Sequence, residues 1–268
     1  MPELPEVEMV RRHLAPVMER RRFEDVILRR RDLREAFPRK FRERLIGQTA
    51  VSVDRRAKYL LVPLSSGETL LMHLGMSGDF RTGTGGSLRH DHVVFRMSSG
   101  AIVTFNDPRR FGLMDLVPAG GLATHPAISV LGPEPLSPDF DGDALARACR
   151  GRRMPLKVAL LDQRVVAGLG NIYASEALHV AGLSPTRRAS TIATGSGLPR
   201  PAAHRLAAAI KQVLERAIAR AARENYRASR FRVYDREAEP CRRARCTGVI
   251  RRRTQAGRST FYCPVCQR

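Results

Sequence analysis

Apolar positions recur along this chain at three spacings, and the changes between them divide it. Val7, Val10, Leu14 and Val17 fall at helical intervals and Pro5 suits a first turn, so a helix is expected over 5–19. From about residue 24 to 117 the pattern shortens to alternating runs broken by turn residues. "KYLLVPLSSGETLLMHLG" and "HVVFRMSSGAIVTF" each read as strand, Ser-Ser-Gly turn, strand, which predicts an antiparallel sandwich or barrel. Residues 118–141, rich in Pro and Gly, read as a linker. Helical spacing returns over 142–183 and again over 201–224, the second run opened by Pro201. The expected organisation is an α+β chain. A β-sheet domain with an N-terminal helix spans 1–117, a helical domain spans 142–230, and a cysteine-bearing module fills 231–268.

Composition narrows the function. Hydrophobic residues make up 43% of the 268, enough for real cores. No apolar run reaches the roughly 18 residues of a membrane span, and no secretory leader is evident, so a cytoplasmic, non-secreted protein is expected. The net charge of +21 calls for a polyanionic partner, nucleic acid first, because neutralised phosphates release counterions. An arginine-rich proteome would also yield a basic surface. Only Lys40, Lys58, Lys157 and Lys211 are lysines among 47 basic residues. Lys58, beside two arginines in "RRAKYLLV", marks a place where arginine would not serve.

Cys241, Cys246, Cys263 and Cys266 form a C-x4-C-x16-C-x2-C pattern. Paired thiolates at this spacing suit one tetrahedral structural Zn²⁺, whereas two disulfides would need an oxidising compartment. Between the pairs, "TGVIRRRTQAGRSTFY" reads as two strands around a "QAG" turn, an arginine-loaded hairpin suited to DNA. Cys149 stands alone and reads as a small buried residue.

The opening "MPELPEVE" holds a different chemistry. With Met1 removed, the chain starts on the secondary amine of Pro2, and α-amino groups have pKa values of about 7.7–8.0. Such an amine can attack a sugar carbon and form an iminium that draws electrons during elimination. Glu3 and Glu6 stand beside it, one to deliver a proton and one to hold the sugar or a water. The same letters also make an ordinary helix start.

"MPELPEVE", "RRAKYLLV", "HLGMSG", "HDHV", "NDPRRFG", "GLGNIYASEAL" and "YCPVCQ", in that order, resemble the formamidopyrimidine-DNA glycosylase family from residue 1 to 267. The resemblance implies an N-terminal β-sandwich joined to a helical helix–two-turn–helix domain and a zinc-finger β-hairpin. It implies a nucleoid-associated base-excision enzyme that removes oxidised or ring-opened purines from double-stranded DNA, and a monomer is expected because no stretch resembles a self-association heptad. The abasic site is then cut by β,δ-elimination, with no catalytic metal. It further implies Pro2 as Schiff-base nucleophile, Glu3 as general acid, Glu6 as support for the sugar and water, and Lys58 as phosphate grip and aid to β-elimination. Arg258 would hold the lesion phosphate for δ-elimination. Asn171, His90, Arg110 and Arg152 would contact the backbone, and Lys157 would lie near the damaged base. Met76, Arg109 and Phe111 would fill the void left by the extruded base; Met76 and Phe111 would otherwise be ordinary core residues.

Two features depart from that pattern. The first cysteine pair is wider than the family's usual C-x2-C, which should bulge one knuckle and leave four ligands. In "AIARAARENYRASRFRVYDREAEPC" the family's glycine pair is replaced by Ala221 and Ala222, and most of the loop that caps a flipped oxidised guanine is missing. Three other readings compete: an endonuclease VIII-like enzyme for oxidised pyrimidines, a non-catalytic damage-binding zinc-finger protein, and an RNA-binding factor. Leu4, where the first relative has Gly, and the Met76/Arg109/Phe111 trio oppose the first. Intact Pro2, Glu3, Glu6 and Lys58 oppose the second. Preference for structured RNA over damaged duplex would mark the third.

Overall fold

The computed structural model describes residues 2–83, 86–221 and 231–268. The chain divides into two compact units, Met1–Ser129 and Val130–Arg268.

The first unit opens with α1 (Leu4–Met18), whose buried stripe is Leu4, Val7, Leu14 and Met18, with Val10 and Val17 half-buried beside it. Arg20, in the left-handed region (φ 58°), turns the chain into β1 (Arg21–Leu28). The short helix α2 (Phe41–Leu45) precedes β2 (Thr49–Ala50), β3 (Asp54–Arg56), β4 (Tyr59–Pro63), β5 (Thr69–His73), β6 (Asp79–Thr82), β7 (Asp91–Met97), β8 (Ile102–Asn106) and β9 (Leu113–Val117). They form two antiparallel sheets, ordered β2-β1-β7-β8-β6 and β3-β4-β5-β9. Both Ser-Ser-Gly segments are hairpin turns, with Gly67 (φ 85°) and Gly100 (φ 80°) supplying the left-handed backbone between β4 and β5 and between β7 and β8.

Alternation sends Leu60, Val62, Leu70 and Met72 into one core with Phe23, Phe95 and Phe105. Leu61, Leu71 and Val117 form a second cluster, covered by Leu122, Ala127 and Ile128. These last come from a 3-10 turn (Leu122–Thr124) and α3 (Pro126–Ser129). The first half of the Pro- and Gly-rich stretch therefore packs onto the sandwich, because three apolar side chains are set among its turns.

The second unit begins its helices with α4 (Gly142–Cys149), N-capped by Asp141, whose Oδ1 accepts from Ala144 N at 2.8 Å. It continues with α5 (Leu156–Leu161), α6 (Asn171–Ala181) and α7 (Pro201–Ala221), and α7 packs on α4 and α6. Gly182 (φ 71°) closes α6. The hairpin follows as β10 (Arg251–Gln255) and β11 (Arg258–Tyr262), joined by Ala256 and Gly257, both at positive φ as a two-residue turn demands. Ala222 and the shortened segment that follows it, through residue 230, lie outside the described residues, as does Met1. Among the described residues no helix is long and apolar enough to cross a membrane.

Candidate functional site

At the start of α1, Glu3 is the N-cap and is 2% exposed. Its backbone N–H donates to Glu6 Oε2 at 2.7 Å, closing a capping box just after half-buried Pro2. The first helical turn thus fixes both carboxylates against the chain end. The third glutamate of the opening, Glu8, does structural work that the sequence did not disclose. It accepts from Arg11 at 3.0 Å, Arg12 at 2.8 Å and Arg55 at 3.2 Å. Burial opposes its ionisation, yet the hydrogen bonds from Arg11 and Arg12, the charge of Arg11 and the bond from Arg55 bring its pKa down to about 2.

Helix α1 packs on β3 and β4, the strands flanking the turn that carries Lys58. Lys58 follows Ala57, itself at φ 54°, and is 8% exposed. Opposite Tyr59, His73 ends β5. Burial first, then the charges of Lys58 and Arg34, lower its pKa to about 4, so it is neutral at pH 7. Its Nδ1 accepts from the Gly75 N–H at 3.0 Å.

Met76 and Phe111 sit on two loops that lie against each other. They are 37% and 42% exposed, which sets them apart from the core side chains of neighbouring strands. The Arg109 guanidinium lies 4.9 Å from the Phe111 ring centroid. Asp107, fully buried, joins the loops: Oδ1 accepts from Ser77 Oγ at 2.5 Å and Arg109 N at 3.3 Å, and Oδ2 from Gly112 N at 2.8 Å. Asp107 lies inside a motif quoted above, but its role needs Ser77, thirty positions away, and nothing local announces it. His90 (φ 71°) accepts from Asp107 N through its carbonyl at 3.0 Å, and exposed Arg110 (φ 58°) donates its N–H to the Asp107 carbonyl at 3.2 Å.

In the second unit the structure gathers Lys157, Asn171 and the strand of Arg258. Lys157 Nζ is completely buried and donates to Asn171 Oδ1 at 2.6 Å, Ser259 O at 2.8 Å and Thr260 Oγ1 at 2.8 Å. Asn171 Nδ2 donates to Ser259 O at 3.0 Å. Both side chains therefore lock the N-terminus of α6 to β11, whose first residue, Arg258, is exposed. Arg152 is engaged as well, donating to Ala148 O at 2.7 Å and to Asp162 Oδ2 at 3.0 Å. Glu176, unforeseen, accepts the backbone N–H groups of Arg232, Val233 and Tyr234 at 2.8, 2.8 and 2.9 Å, tying α6 to the chain entering the hairpin.

The Sγ atoms of Cys241, Cys246, Cys263 and Cys266 lie within 4.8 Å of one another, and none is bridged. Cys241–Cys266 and Cys246–Cys263 separations are 3.8 and 3.6 Å. A tetrahedron with ~2.3 Å metal–sulfur bonds has edges of about 3.8 Å, so the donor set fits a metal such as zinc. Backbone N–H groups of Arg243 and Gly248 point at Cys241 and Cys246 Sγ from 3.4 and 3.5 Å. A Cβ on Gly248 would stand 2.5 Å from Cys263 Sγ, so the knuckle requires glycine there. Within the widened knuckle, Arg243 also donates to the carbonyls of His179 and of Val180 near the end of α6, the latter at 3.2 Å. Cys149 is fully buried, and burial lifts its thiol to about 11.

Residues 1–114 match the profile of the formamidopyrimidine-DNA glycosylase N-terminal domain, and residues 131–227 that of the same family's H2TH domain. The formamidopyrimidine-DNA glycosylase of Azorhizobium caulinodans is 52% identical over 294 aligned positions, and that of Rhodopseudomonas palustris (strain BisB18) 53%, each covering all of both chains. The alignments exceed the 268 residues of this chain, so these relatives carry segments it lacks. Among solved structures, the Lactococcus lactis enzyme bound non-covalently to DNA with an abasic site superposes with a TM-score of 0.86 at 30% identity over all of both chains. The same enzyme with DNA containing an oxidised pyrimidine gives 0.88 at 30%, again over all of both chains. The Thermus thermophilus protein gives 0.83 at 36%, covering 99% of this chain and 98% of that one. A capping box that holds two carboxylates at the chain start, a clamped pair of loops with apolar tips and a four-cysteine hairpin thus come with full-length similarity, and the chain belongs to the formamidopyrimidine-DNA glycosylase family.

Proposed function

We propose that this chain is a DNA glycosylase and abasic-site lyase of base-excision repair, acting through Pro2 on oxidised or ring-opened purines in duplex DNA. The observation that carries the reading is the capping box: it holds Glu3 and Glu6 beside Pro2, so that a secondary amine and two carboxylates share one turn. The Pro2 nitrogen bonds to C1′ of the lesion nucleotide as the C1′–base bond breaks, and the departing base takes that bond's electron pair and the proton the amine gives up. Glu3 delivers a proton to the ring oxygen as the sugar opens, leaving an iminium, while Glu6 holds the sugar and water. The iminium draws off the electrons freed when C2′ loses a proton, and the 3′-phosphate leaves. Loss of a further proton, from C4′, expels the 5′-phosphate. Lys58 assists the first elimination and Arg258 grips the lesion phosphate for the second.

Met76, Phe111 and Arg109 fill the space vacated by the base, offsetting an extrusion cost of a few kcal/mol. His90, Arg110 and Arg152 bind backbone phosphates, Arg152 by exchanging Asp162 for phosphate. The N-terminus of α6 offers further N–H donors there. Lys157 and Asn171 serve DNA indirectly, through the strand of Arg258 that they hold. The four cysteines hold one structural Zn²⁺, which would fix the hairpin. The enzyme acts as a monomer in the cytoplasm, at the nucleoid.

A wider lesion range than oxidised guanine is the second reading. Relatives carry segments that this chain lacks, and the Lactococcus lactis enzyme has been solved on DNA with an oxidised pyrimidine. Excision assays on duplexes carrying 8-oxoguanine, a ring-opened purine or an oxidised pyrimidine test both. Preference for purines with weak 8-oxoguanine release supports a purine enzyme lacking its cap; preference for the pyrimidine would replace the purine assignment.

A further inference from the structure

We infer that Asp107 and His73 are positioning residues that clamp the loops of Met76 and Phe111 into one preformed wedge. The inference rests on the void-filling role proposed above. Each exposed tip is bracketed by groups tied to Asp107 or His73. Met76 stands between Gly75, whose N–H is held by His73 Nδ1, and Ser77, whose hydroxyl is held by Asp107. Phe111 stands between Arg110, whose N–H is held by the Asp107 carbonyl, and Gly112, whose N–H is held by the Asp107 carboxylate.

The loops also touch directly. Gly75 (φ 67°) lies so close to Phe111 that a Cβ would meet its carbonyl carbon at 2.3 Å. Any displacement of one tip is thereby passed to the other. A half-exposed apolar side chain on a loose loop would lose backbone and rotamer freedom while the base leaves the stack; a loop already fixed avoids that cost at the step itself. The chemistry of the supports suits the task. A carboxylate accepts all three donors without presenting a hydrogen, and a half-buried histidine held neutral keeps an acceptor on Nδ1.

The test is single-turnover base release from a ring-opened-purine duplex, with borohydride trapping on an abasic duplex as the measure of competent enzyme. Abasic DNA has no base to extrude, so it reports the chemistry without the wedge. Variants are Asp107→Asn, His73→Leu, His73→Asn and Ser77→Ala, with Met76→Ala and Phe111→Ala as references. In Asp107→Asn the amide hydrogens oppose one of the loop donors; His73→Leu removes the acceptor, and His73→Asn restores one near the Nδ1 position.

Lesion release is expected to fall about 10- to 100-fold in Asp107→Asn and His73→Leu, as for a reacting geometry displaced by about 1 Å. Trapping on the abasic duplex persists, His73→Asn recovers most of the loss, and Ser77→Ala shows a smaller loss in the same direction. If Asp107→Asn does not fold, the His73 pair and Ser77→Ala decide. Parallel loss on both duplexes would make the supports merely structural and overturn the inference. Reference variants that slow release while the support variants do not would overturn it alone. Reference variants without effect would overturn it together with the void-filling reading.

Discussion

The loops of the first unit and the hairpin of the second each hold an exposed group on a buried polar anchor, and the anchors carry opposite charge. In the first unit, apolar tips Met76 and Phe111 stand on the Asp107 carboxylate, which gathers N–H and O–H donors. In the second, cationic Arg258 stands on the Lys157 ammonium, which gathers carbonyl, amide and hydroxyl oxygens. The anchor's sign follows the backbone it must satisfy. Loops present unpaired N–H groups and need an acceptor; the junction of β11 with α6 presents unpaired oxygens and needs a donor. The lesson is that the exposed residue and its anchor need different tests, because the proposed function sends one to DNA while the anchor is held by protein groups.

Metal removal has the largest expected effect. If a zinc ion organises the four cysteines, chelation or Cys263→Ser unfolds the hairpin, with a loss of order 10 kcal/mol of binding-coupled folding. Duplex affinity then collapses while the N-terminal sandwich keeps its structure, as circular dichroism and fluorescence anisotropy would report. Lys157→Met comes next: one buried and two half-buried acceptors lose a charged donor, at a cost of about 3 kcal/mol in thermal or denaturant unfolding. Arg258→Ala at the exposed end of the same strand is expected to leave stability unchanged within about 0.5 kcal/mol while weakening strand cleavage.

Glu8→Gln removes a carboxylate whose folded pKa is about 2. Because the folded value lies below the ordinary 4.5, its contribution is full above about pH 4.5 and fades as pH falls towards 2. The wild type should lead the variant by up to about 3 kcal/mol at pH 7. The two should converge near pH 2; a constant gap in acid titrations followed by circular dichroism would contradict the assignment. Phe111→Ala is the smallest in stability: with the residue already 42% exposed, melting should barely move, and only lesion release should fall.

Much of this was legible in the sequence, for physical reasons that differ between residues. Periodicity gave α1 and the two hairpins because their partners are near in sequence. The scarcity of lysine pointed to Lys58, and both it and Lys157 proved buried, at 8% and 0% exposure, whereas Lys40 is exposed. Asp107 and Glu176 were silent, since Ser77 for the one and the N–H groups of Arg232, Val233 and Tyr234 for the other are brought near only by the fold, and His73 was silent because its bond to the Gly75 N–H has no local sequence signature. Lys157 shows the same limit from the other side. Its identity stood out, but its partners Ser259 and Thr260 lie about a hundred residues on, so the sequence could not show that its ammonium also holds the second unit together. The 118–141 stretch looked like pure connector because Pro and Gly dominate it; Leu122, Ala127 and Ile128 anchor part of it to the sandwich.

The central claim is that the amine of Pro2 does the chemistry. Borohydride trapping on duplexes with an abasic site or a ring-opened purine, wild type beside Pro2→Gly, tests it most directly. The account predicts covalent complexes on both duplexes with the wild type, and a marked loss on both with the variant while duplex binding persists. Undiminished trapping by the variant would move the nucleophile elsewhere, and no trapping by either, with binding intact, would leave a DNA-binding protein without this chemistry.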